Sequence, residues 1–414
     1  MKQIKIYNKN IHGIDVVYVR VPFSLTSHVG FFSLSGSYAE NEKNQGISHY
    51  LEHMFFKGTN KRNCFQISDD AALLGANENA YTSEYNTQYY MNVPSINTEE
   101  AIELLCDMMF NPSFPEEEIE KERTVIQEER KMYEDNHQSH FFEETQNNFF
   151  KFDVGHRIIG TEETINSFNR NDFVEYRNQM YGLDNTILVI VSDLSHSDIF
   201  KFCDRQLSGN PFFHNGLVPI QSEIIQPSDR IFSFKRKNIQ QSYLVGLFEG
   251  NGKSDKNTTK RKCMINSIGG GMFSIFFKEL REKLGLCYSV SSFDFLSNSD
   301  KTVMGYFCQT DPKKSKIAME KMIEINSDIR KNGFQKSVFE CSKAEQIGGF
   351  CRATSNIANI ANVIGKNKLM GIETNFEEDY DSILSLTIDD VNEYAMKYLP
   401  KDEEIYWSIM SPEE

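Results

Sequence analysis

The strongest constraint on the fold of this chain is a sequence pattern that occurs twice. Residues 171–176 end in Glu-Tyr and are followed by a strand-like run, residues 186–191. Residues 389–394 also end in Glu-Tyr, begin 218 positions after residue 171 and are followed by a similar run, residues 405–410. Because a chain of 414 residues has room for two domains of roughly 200 residues, a spacing near half its length predicts a duplicated domain.

The first half of the chain alternates between short β-type runs and longer helical patterns. Three runs rich in β-branched and aromatic residues are typical of strands, residues 16–21, 29–34 and 88–93. Two longer segments carry apolar residues at helical spacing, residues 98–110 and 115–133. Strands clustered before long helices favour the α+β class. We therefore expect two homologous, duplicated α+β domains, each a mainly antiparallel sheet with helices packed on one face.

A segment rich in proline, glycine and asparagine separates the two halves. Three of the ten prolines, Pro211, Pro219 and Pro227, fall within it. This composition is typical of an interdomain linker. The sequence therefore predicts an N-terminal domain at 1–212, a linker at 213–228 and a C-terminal domain at 229–414.

Composition and charge exclude several classes of protein. The net charge of −15 argues against nucleic-acid binding, because binding to phosphates requires a dense basic surface. No apolar run approaches the roughly 18 residues that span a bilayer, so no membrane association is expected. Residues 1–8 alternate like a strand and do not resemble a signal peptide. We expect a cytoplasmic protein of bacterial type or, alternatively, an organellar matrix protein that has lost its transit peptide.

The strongest chemical signature lies in residues 45–59. His49 and His53 are four residues apart in a helical pattern, so both project from one face. Two such imidazoles can hold Zn²⁺ and leave positions for a third protein ligand and for water. Glu52 lies on the same arc, where its carboxylate can take a proton from water that attacks a carbonyl group. The H-x-x-E-H spacing therefore predicts a metal-dependent hydrolase with Glu52 as general base.

A carboxylate from the acidic segment 115–133 is the expected third ligand. Glu122 and Glu129 fall on one helical stripe with Ile126 and Tyr133. A carboxylate on an apolar face needs a cation or a hydrogen-bond partner, whereas the other glutamates of the segment can be solvated. We therefore predict that Glu129 completes the metal site and that Glu122 orients one of the histidines.

The histidines are confined to one part of the chain. All nine lie within the first 214 residues. The second half therefore has no imidazole with which to build another site of this kind. We expect one Zn²⁺ per chain, held by the N-terminal domain.

These residues resemble the inverted-zincin peptidases of the pitrilysin family (M16). The similarity is strongest to the half-length branch (M16B), which includes mitochondrial processing peptidase and bacterial relatives. Glu129 stands 76 residues after His53, and Glu122 stands seven residues before Glu129, as in the family's pattern. The resemblance implies the LuxS/MPP-like metallohydrolase fold and Zn²⁺ held by His49, His53 and Glu129.

Two further elements extend the resemblance. Residues 75–87 are similar to the family's edge strand beside the metal, where a peptide substrate adds as a strand, and Asn79 and Ala80 match the substrate-contacting pair. Taken alone, this segment predicts only a structural edge strand. In the second half, Arg281 and Tyr288 match the element that implies assistance at the scissile carbonyl. Without the resemblance, a surface arginine and a packed core tyrosine are the simpler interpretation.

The resemblance implies a zinc-dependent endopeptidase that cleaves peptides or unfolded segments in a closed chamber. Family enzymes build this chamber from four such domains, so we expect a homodimer or, alternatively, a heterodimer with a related subunit. Arg281 and Tyr288 would then reach the metal of the partner chain. One alternative is a noncatalytic scaffold or core subunit of a processing-peptidase-like complex, although such subunits typically lack the intact zinc motif. Another is a structural zinc protein, which would use four protein ligands and have no need of Glu52.

Overall fold

The computed structural model describes residues 4–210, 216, 218–220, 223–225, 229–253, 255–298 and 300–413. The chain divides into two compact units, each built from three stretches of sequence. The first unit comprises Met1–Glu134, Phe152–Ile220 and Ala353–Thr374. The second unit comprises Asp135–Lys151, Gln221–Arg352 and Asn375–Glu414.

The predicted division into continuous domains at 1–212 and 229–414 differs from these units at two places. Residues 135–151 belong to the second unit and residues 353–374 to the first, so each half of the chain contributes one helical stretch to the other unit. The predicted linker at 213–228 falls largely on residues outside those that the structure describes.

The first unit contains a six-stranded sheet. Its strands are β1 (Lys5–Ile11), β2 (Ile14–Arg20), β3 (Thr26–Ser33), β4 (Asn77–Thr82), β5 (Thr87–Pro94) and β6 (Thr186–Ser192). Their order across the sheet is β1-β2-β6-β3-β5-β4, and all neighbours are antiparallel except β2 and β6. The strand β4 therefore forms one edge of this sheet.

The second unit contains a five-stranded sheet of the same topology. Its strands are β7 (Ile231–Arg236), β8 (Ser242–Asn251), β9 (Cys287–Ser297), β10 (Lys301–Thr310) and β11 (Tyr406–Pro412), in the order β7-β11-β8-β10-β9. The strand β11 is parallel to β7 and antiparallel to β8, as β6 is parallel to β2 and antiparallel to β3. The duplicated α+β architecture is thus confirmed.

Helices cover both sheets. In the first unit they are α1 (Ile47–Met54), α2 (Cys64–Leu73), α3 (Thr98–Phe110), most of α4 (Glu116–Asp135), α6 (Phe152–Gly155), α7 (Glu162–Ser167), α8 (Arg170–Met180), α9 (His196–Leu207) and α13 (Ile357–Leu369). In the second unit they are α5 (His137–Phe149), α10 (Thr258–Gly269), α11 (Ser315–Asn332), most of α12 (Lys336–Thr354), α14 (Phe376–Ser385) and α15 (Ile388–Tyr398). Among the described residues, no helix combines the length and apolarity needed to cross a bilayer.

The inner strands of each sheet, such as β3, β6, β8 and β10, are buried on both faces, which corrects the expectation of helices on one face. In β3, the ring of Phe31 meets Phe110 of α3, whereas the next residue, Phe32, packs against Gly365 of α13. The second unit repeats this arrangement, since in β10 the ring of Phe307 meets Phe142 of α5, whereas the ring of the preceding residue, Tyr306, meets Phe276. Strands buried on both faces carry continuous apolar runs rather than alternating ones. The run in β6, buried at every position, is the sequence signal for this second layer.

Candidate active site

The helix α1 carries both histidines and Glu52. It begins directly after Gly46, and its residues Tyr50, Leu51 and Met54 are fully buried. The four-residue spacing puts the two imidazoles side by side, with their ring centroids 4.8 Å apart. Packing of the apolar face of α1 therefore fixes the direction in which the histidine pair points.

The helix α4 brings Glu129 to the histidine pair. Oε2 of Glu129 lies 3.7 Å from Nε2 of His49 and 3.7 Å from Nε2 of His53. Within the described part of the chain, these three residues are the group suited to hold a metal ion, with ligand atoms all within 4.8 Å of one another. The hydroxyl of Tyr50 donates to the carbonyl of Ile119 at 2.5 Å, which joins α1 to α4.

Glu122 lies on the buried side of α4 and has two partners. Its Oε2 lies 3.0 Å from Nδ1 of His53, and its Oε1 lies 2.5 Å from Nζ of Lys57. When Glu122 accepts the Nδ1 proton, Nε2 of His53 is left free as a ligand atom. The buried residues of α4 are Ile119, Glu122 and Ile126. Tyr133, predicted to lie on the same buried stripe, is instead exposed.

Burial and hydrogen bonding set the protonation of these groups. Burial and the neighbouring His53 lower the pKa of His49 to about 3, so its imidazole is neutral. Burial also lowers the pKa of His53, but the hydrogen bond to Glu122 and nearby carboxylates outweigh burial and raise it. Burial raises the pKa of Glu122, but the hydrogen bonds from His53 and Lys57 outweigh it and lower the pKa. Glu122 is therefore held as the carboxylate that His53 requires.

Glu52 faces the edge strand. The hydroxyl of Thr82 in β4 donates a hydrogen bond to Oε2 of Glu52. Burial raises the pKa of Glu52, and the repulsion from Glu129 adds to this effect, whereas Thr82 and His53 lower it; the net shift is upward. A carboxyl group whose pKa is raised towards neutrality is suited to accept and return a proton.

The donor set of two imidazoles and one carboxylate is suited to Zn²⁺. Tetrahedral Zn²⁺ with bonds of about 2.0–2.2 Å places neighbouring ligand atoms about 3.4 Å apart. The two separations of 3.7 Å from Glu129 are close to this value and are too long for hydrogen bonds. The ligand atoms thus converge without bonding one another, and the neutral imidazole of His49 is the form that binds a metal. His49, His53 and Glu129 would hold the ion.

The edge strand β4 presents Asn79 and Ala80. Ala80 is paired with Tyr89 of β5 in the sheet register. The backbone N–H of Ala80 donates to the side-chain Oδ1 of Asn79 at 2.8 Å. A short side-chain contact of this kind can be exchanged for a hydrogen bond to an added strand. Thr82, two residues further along and therefore on the same face as Ala80, faces Glu52.

Arg281 and Tyr288 lie together in the second unit. Arg281 belongs to a π-helical turn, Phe277–Lys283, and Tyr288 is the second residue of β9. The guanidinium carbon lies 5.1 Å from the centroid of the Tyr288 ring and 4.8 Å from that of Phe277. Tyr288 is 71% exposed, which excludes the interpretation as a packed core tyrosine. The structure therefore pairs Arg281 with Tyr288, and places the metal-ligand candidates in the first unit.

Four residues around this site were not predicted from the sequence. Lys57 follows His53 by four residues, so helical spacing could have indicated it. Thr82 falls within the segment 75–87, where strand alternation places it on the face of Ala80. Glu40 and His156 contact each other near the start of α1. The sequence offers no local signal for this pair, because the two residues are 116 positions apart.

Two protein-family models match this chain. The family model described as "Insulinase (Peptidase family M16)" matches residues 15–162, and the model described as "Peptidase M16 inactive domain" matches residues 167–345.

Individual relatives extend the comparison. An "Uncharacterized zinc protease" of Rickettsia bellii (strain RML369-C) is 30% identical over 402 residues, which cover 95% of each chain. The beta subunit of the mitochondrial-processing peptidase of Bos taurus is 30% identical over 299 residues, covering 69% of this chain and 60% of its own. The crystal structure of a protease from Helicobacter pylori shares the fold, with a TM-score of 0.90 at 18% identity over 99% of this chain and 100% of its own. The chain therefore belongs to peptidase family M16, as the resemblance of its motifs predicted.

Proposed function

We propose that this chain is a zinc-dependent endopeptidase with one Zn²⁺ per chain. The observation that carries the proposal is the convergence of His49, His53 and Glu129 beside a carboxyl group, Glu52, whose pKa is raised. The name of the Rickettsia relative, a zinc protease, supports the choice of metal and of reaction. Since that relative is bacterial, we also propose that the protein acts in the cytoplasm of a bacterial cell.

The residues of the site have distinct roles in the proposed reaction. When bound, Zn²⁺ supplies Lewis-acid polarisation of the scissile carbonyl and lowers the pKa of water. Glu52 takes a proton from the attacking water and returns it to the leaving amine. Glu122 accepts a hydrogen bond from the Nδ1–H of His53 and so keeps the imidazole ring oriented. Lys57 keeps Glu122 charged through their contact.

The edge strand β4 supports a choice of substrate. We propose that an extended peptide adds to this edge and replaces the Asn79 side chain as the partner of the Ala80 amide. Strand addition requires a chain without its own secondary structure, so the substrates are peptides or unfolded segments. Thr82 lies in β4, the strand to which the peptide would add, and its hydroxyl contacts the carboxylate of Glu52. The bound peptide would therefore lie beside Glu52.

Arg281 and Tyr288 support an assembly of two chains. We propose that they reach the metal of a partner chain, a second copy or a related subunit, and that the two chains enclose the substrate in a chamber. There the guanidinium holds the substrate carbonyl and the phenol donates to the developing oxyanion. The exposure of Tyr288 is in keeping with a role outside its own core. The bovine relative is itself named as a subunit.

Cleavage of a peptide library tests the proposed activity. Purified protein of measured zinc content is incubated with unstructured peptides, with and without a chelator, and the products are identified by mass spectrometry. Glu52→Gln should retain zinc and lose activity by roughly 10²–10⁴-fold. The control is Glu128→Gln on α4, since Glu128 is solvent-exposed and contacts Lys131; its activity should be unchanged. Unaltered cleavage by Glu52→Gln would contradict the assignment, and no chelator-sensitive cleavage at full zinc content would favour a noncatalytic scaffold.

Mixing two inactive variants tests the assembly. Arg281→Ala keeps the metal ligands, and His53→Ala keeps the arginine. If Arg281 serves the metal of a partner chain, the mixed dimer contains one complete site and recovers activity. If Arg281 acts within its own chain, the mixture stays inactive, and the proposed arrangement is refuted.

A further inference from the structure

The first turn of α1 is held by a buried carboxylate from outside the helix. The residue before α1 is Gly46, which has no side chain to cap the helix. Glu40 takes this role, since its Oε2 accepts from the N–H of Gly46 at 2.7 Å and its Oε1 from the N–H of Ser48 at 2.9 Å. The helix dipole favours a negative charge here. Because the side chain of Glu40 is fully buried, its charge also needs a cationic partner.

His156 supplies that partner. Its Nε2 lies 2.9 Å from Oε2 of Glu40, and its Nδ1 lies 2.6 Å from the carbonyl oxygen of Phe152. Both ring nitrogens face acceptors, so both carry a proton and the ring is an imidazolium ion. Its side chain is 5% exposed. Glu40 and His156 therefore form a buried ion pair, and the carboxylate of this pair also accepts hydrogen bonds from the backbone amides at the start of α1.

The same turn of α1 is fixed by close backbone packing. A Cβ atom at Gly46 would lie 2.5 Å from the carbonyl oxygen of Ile159 and 2.7 Å from Cα of Gly160. The hydroxyl of Thr164 donates to the carbonyl of Gln45 at 2.7 Å. The segment that carries His156 thus also meets the backbone where α1 begins, and the ion pair acts on a turn that has little room to shift.

We propose that Glu40 and His156 are positioning residues of the metal site, an inference that rests on the proposed function. His49 directly follows Ser48, the residue whose amide Glu40 holds. Within the described residues, Nδ1 of His49 is buried without a hydrogen-bond partner, whereas Glu122 holds Nδ1 of His53. The direction of the His49 ring therefore depends on the position of the first turn of α1. The ion pair sets that position and thereby aligns His49 with the other two ligands.

Zinc affinity, measured by competition with a chelator, tests this role separately from catalysis. Glu40→Gln keeps the size of the side chain but removes its charge and replaces one of the two acceptor oxygens by an NH2 donor, so one of the two amides loses its acceptor. His156→Gln keeps a donor but removes the charge. Each should raise the zinc dissociation constant on the order of tenfold. If the pair acts as one unit, the double variant should show no larger rise than the more severe single variant.

A third variant separates positioning from general stability. Asp107 is also a buried carboxylate of the first unit, and it accepts from Thr59 and Arg62 at 2.7 Å each. Asp107→Asn should lower the thermal midpoint and leave the zinc dissociation constant unchanged. If Glu40→Gln and His156→Gln likewise lower only the midpoint, the positioning role is refuted while the proposed function stands. If the wild-type chain binds no zinc, both are refuted.

Discussion

Replacing Gly46 by alanine should destabilise the first unit by about 2–5 kcal/mol. The φ angle of Gly46 is 89°, a left-handed value that costs other residues about 1–2 kcal/mol. The added Cβ would also lie 2.5 Å from the carbonyl oxygen of Ile159. A backbone atom cannot move aside by a change of rotamer, and overpacking of this kind costs about 1–3 kcal/mol. The two contributions act on the same turn and add to the stated range.

The measurement is urea unfolding followed by circular dichroism, with hydrogen exchange of the α1 amides as a local readout. Gly75→Ala is the matched control, because Gly75 has a φ of 63° but its Cβ would meet only the side chain of Pro94, at 3.6 Å. The control should lose only the backbone contribution, about 1–2 kcal/mol. Equal losses in Gly46→Ala and Gly75→Ala would refute the argument from close packing at the start of α1.

Three further predictions concern the groups around the metal ligands. Lys57→Met should raise the zinc dissociation constant about tenfold, because Glu122 loses the cation that lies 2.5 Å away. Competition with a chelator measures this constant, and an unchanged value would contradict the supporting role of Lys57. Thr82→Val should raise the pKa of Glu52 further, since it removes a hydrogen bond that lowers it; the acid limb of the pH–rate profile should move to higher pH, and a limb that stays in place would contradict the assigned role. Burial lowers the pKa of His156, but Glu40, the Phe152 carbonyl and Asp153 together outweigh burial and raise it. Its ion pair should therefore stabilise the fold fully below about pH 6.5 and lose this effect as the pH rises through the folded-state pKa. The difference in unfolding free energy between wild type and His156→Gln should shrink accordingly with increasing pH, and a difference that grew would show the opposite sign of linkage.

The elements with clear periodicity were predictable from the sequence. The helix expected at 98–110 has those bounds in the structure, as α3, and the strand expected at 88–93 lies within β5. Both segments contribute apolar side chains to the same hydrophobic core, and the spacing of these side chains is visible in a short window of sequence. The repeated Glu-Tyr segments also correspond to equivalent helices, α8 and α15, each followed by a central strand of its sheet. Local periodicity and its repetition were sufficient for the fold class.

The exchange of helices between the halves of the chain was not predictable in this way. The helix α13 packs against β3 and β6 of the first unit, more than 160 positions away in sequence, as the contact between Phe32 and Gly365 and the position of β6 at 186–192 indicate. An amphipathic helix specifies an apolar partner surface but not which surface in the chain it will cover. The choice between the two sheets is made by the complete fold.

The candidate site was also predictable only in part. The spacing of His49, Glu52 and His53 predicted their common face, because a helix fixes the relation of residues three and four apart. Periodicity also singled out Glu122 and Glu129, since a carboxylate on an apolar stripe calls for a partner. The distance between α1 and α4 is not encoded in either pattern. That distance depends on core packing, including the bond from Tyr50 to Ile119.

The sequence by itself thus determined which residues could bind a metal, the class of fold and its duplication. These follow from helix and strand geometry, which acts over a few residues, and from repetition of the chain. Only the tertiary structure decided that Lys57 supports Glu122, that Thr82 meets Glu52 and that Glu40 with His156 holds the start of α1. Such contacts depend on burial and charge pairing between distant segments. A local pattern can place Lys57 or Thr82 on one face of its own element, but it does not identify the partner on the other segment.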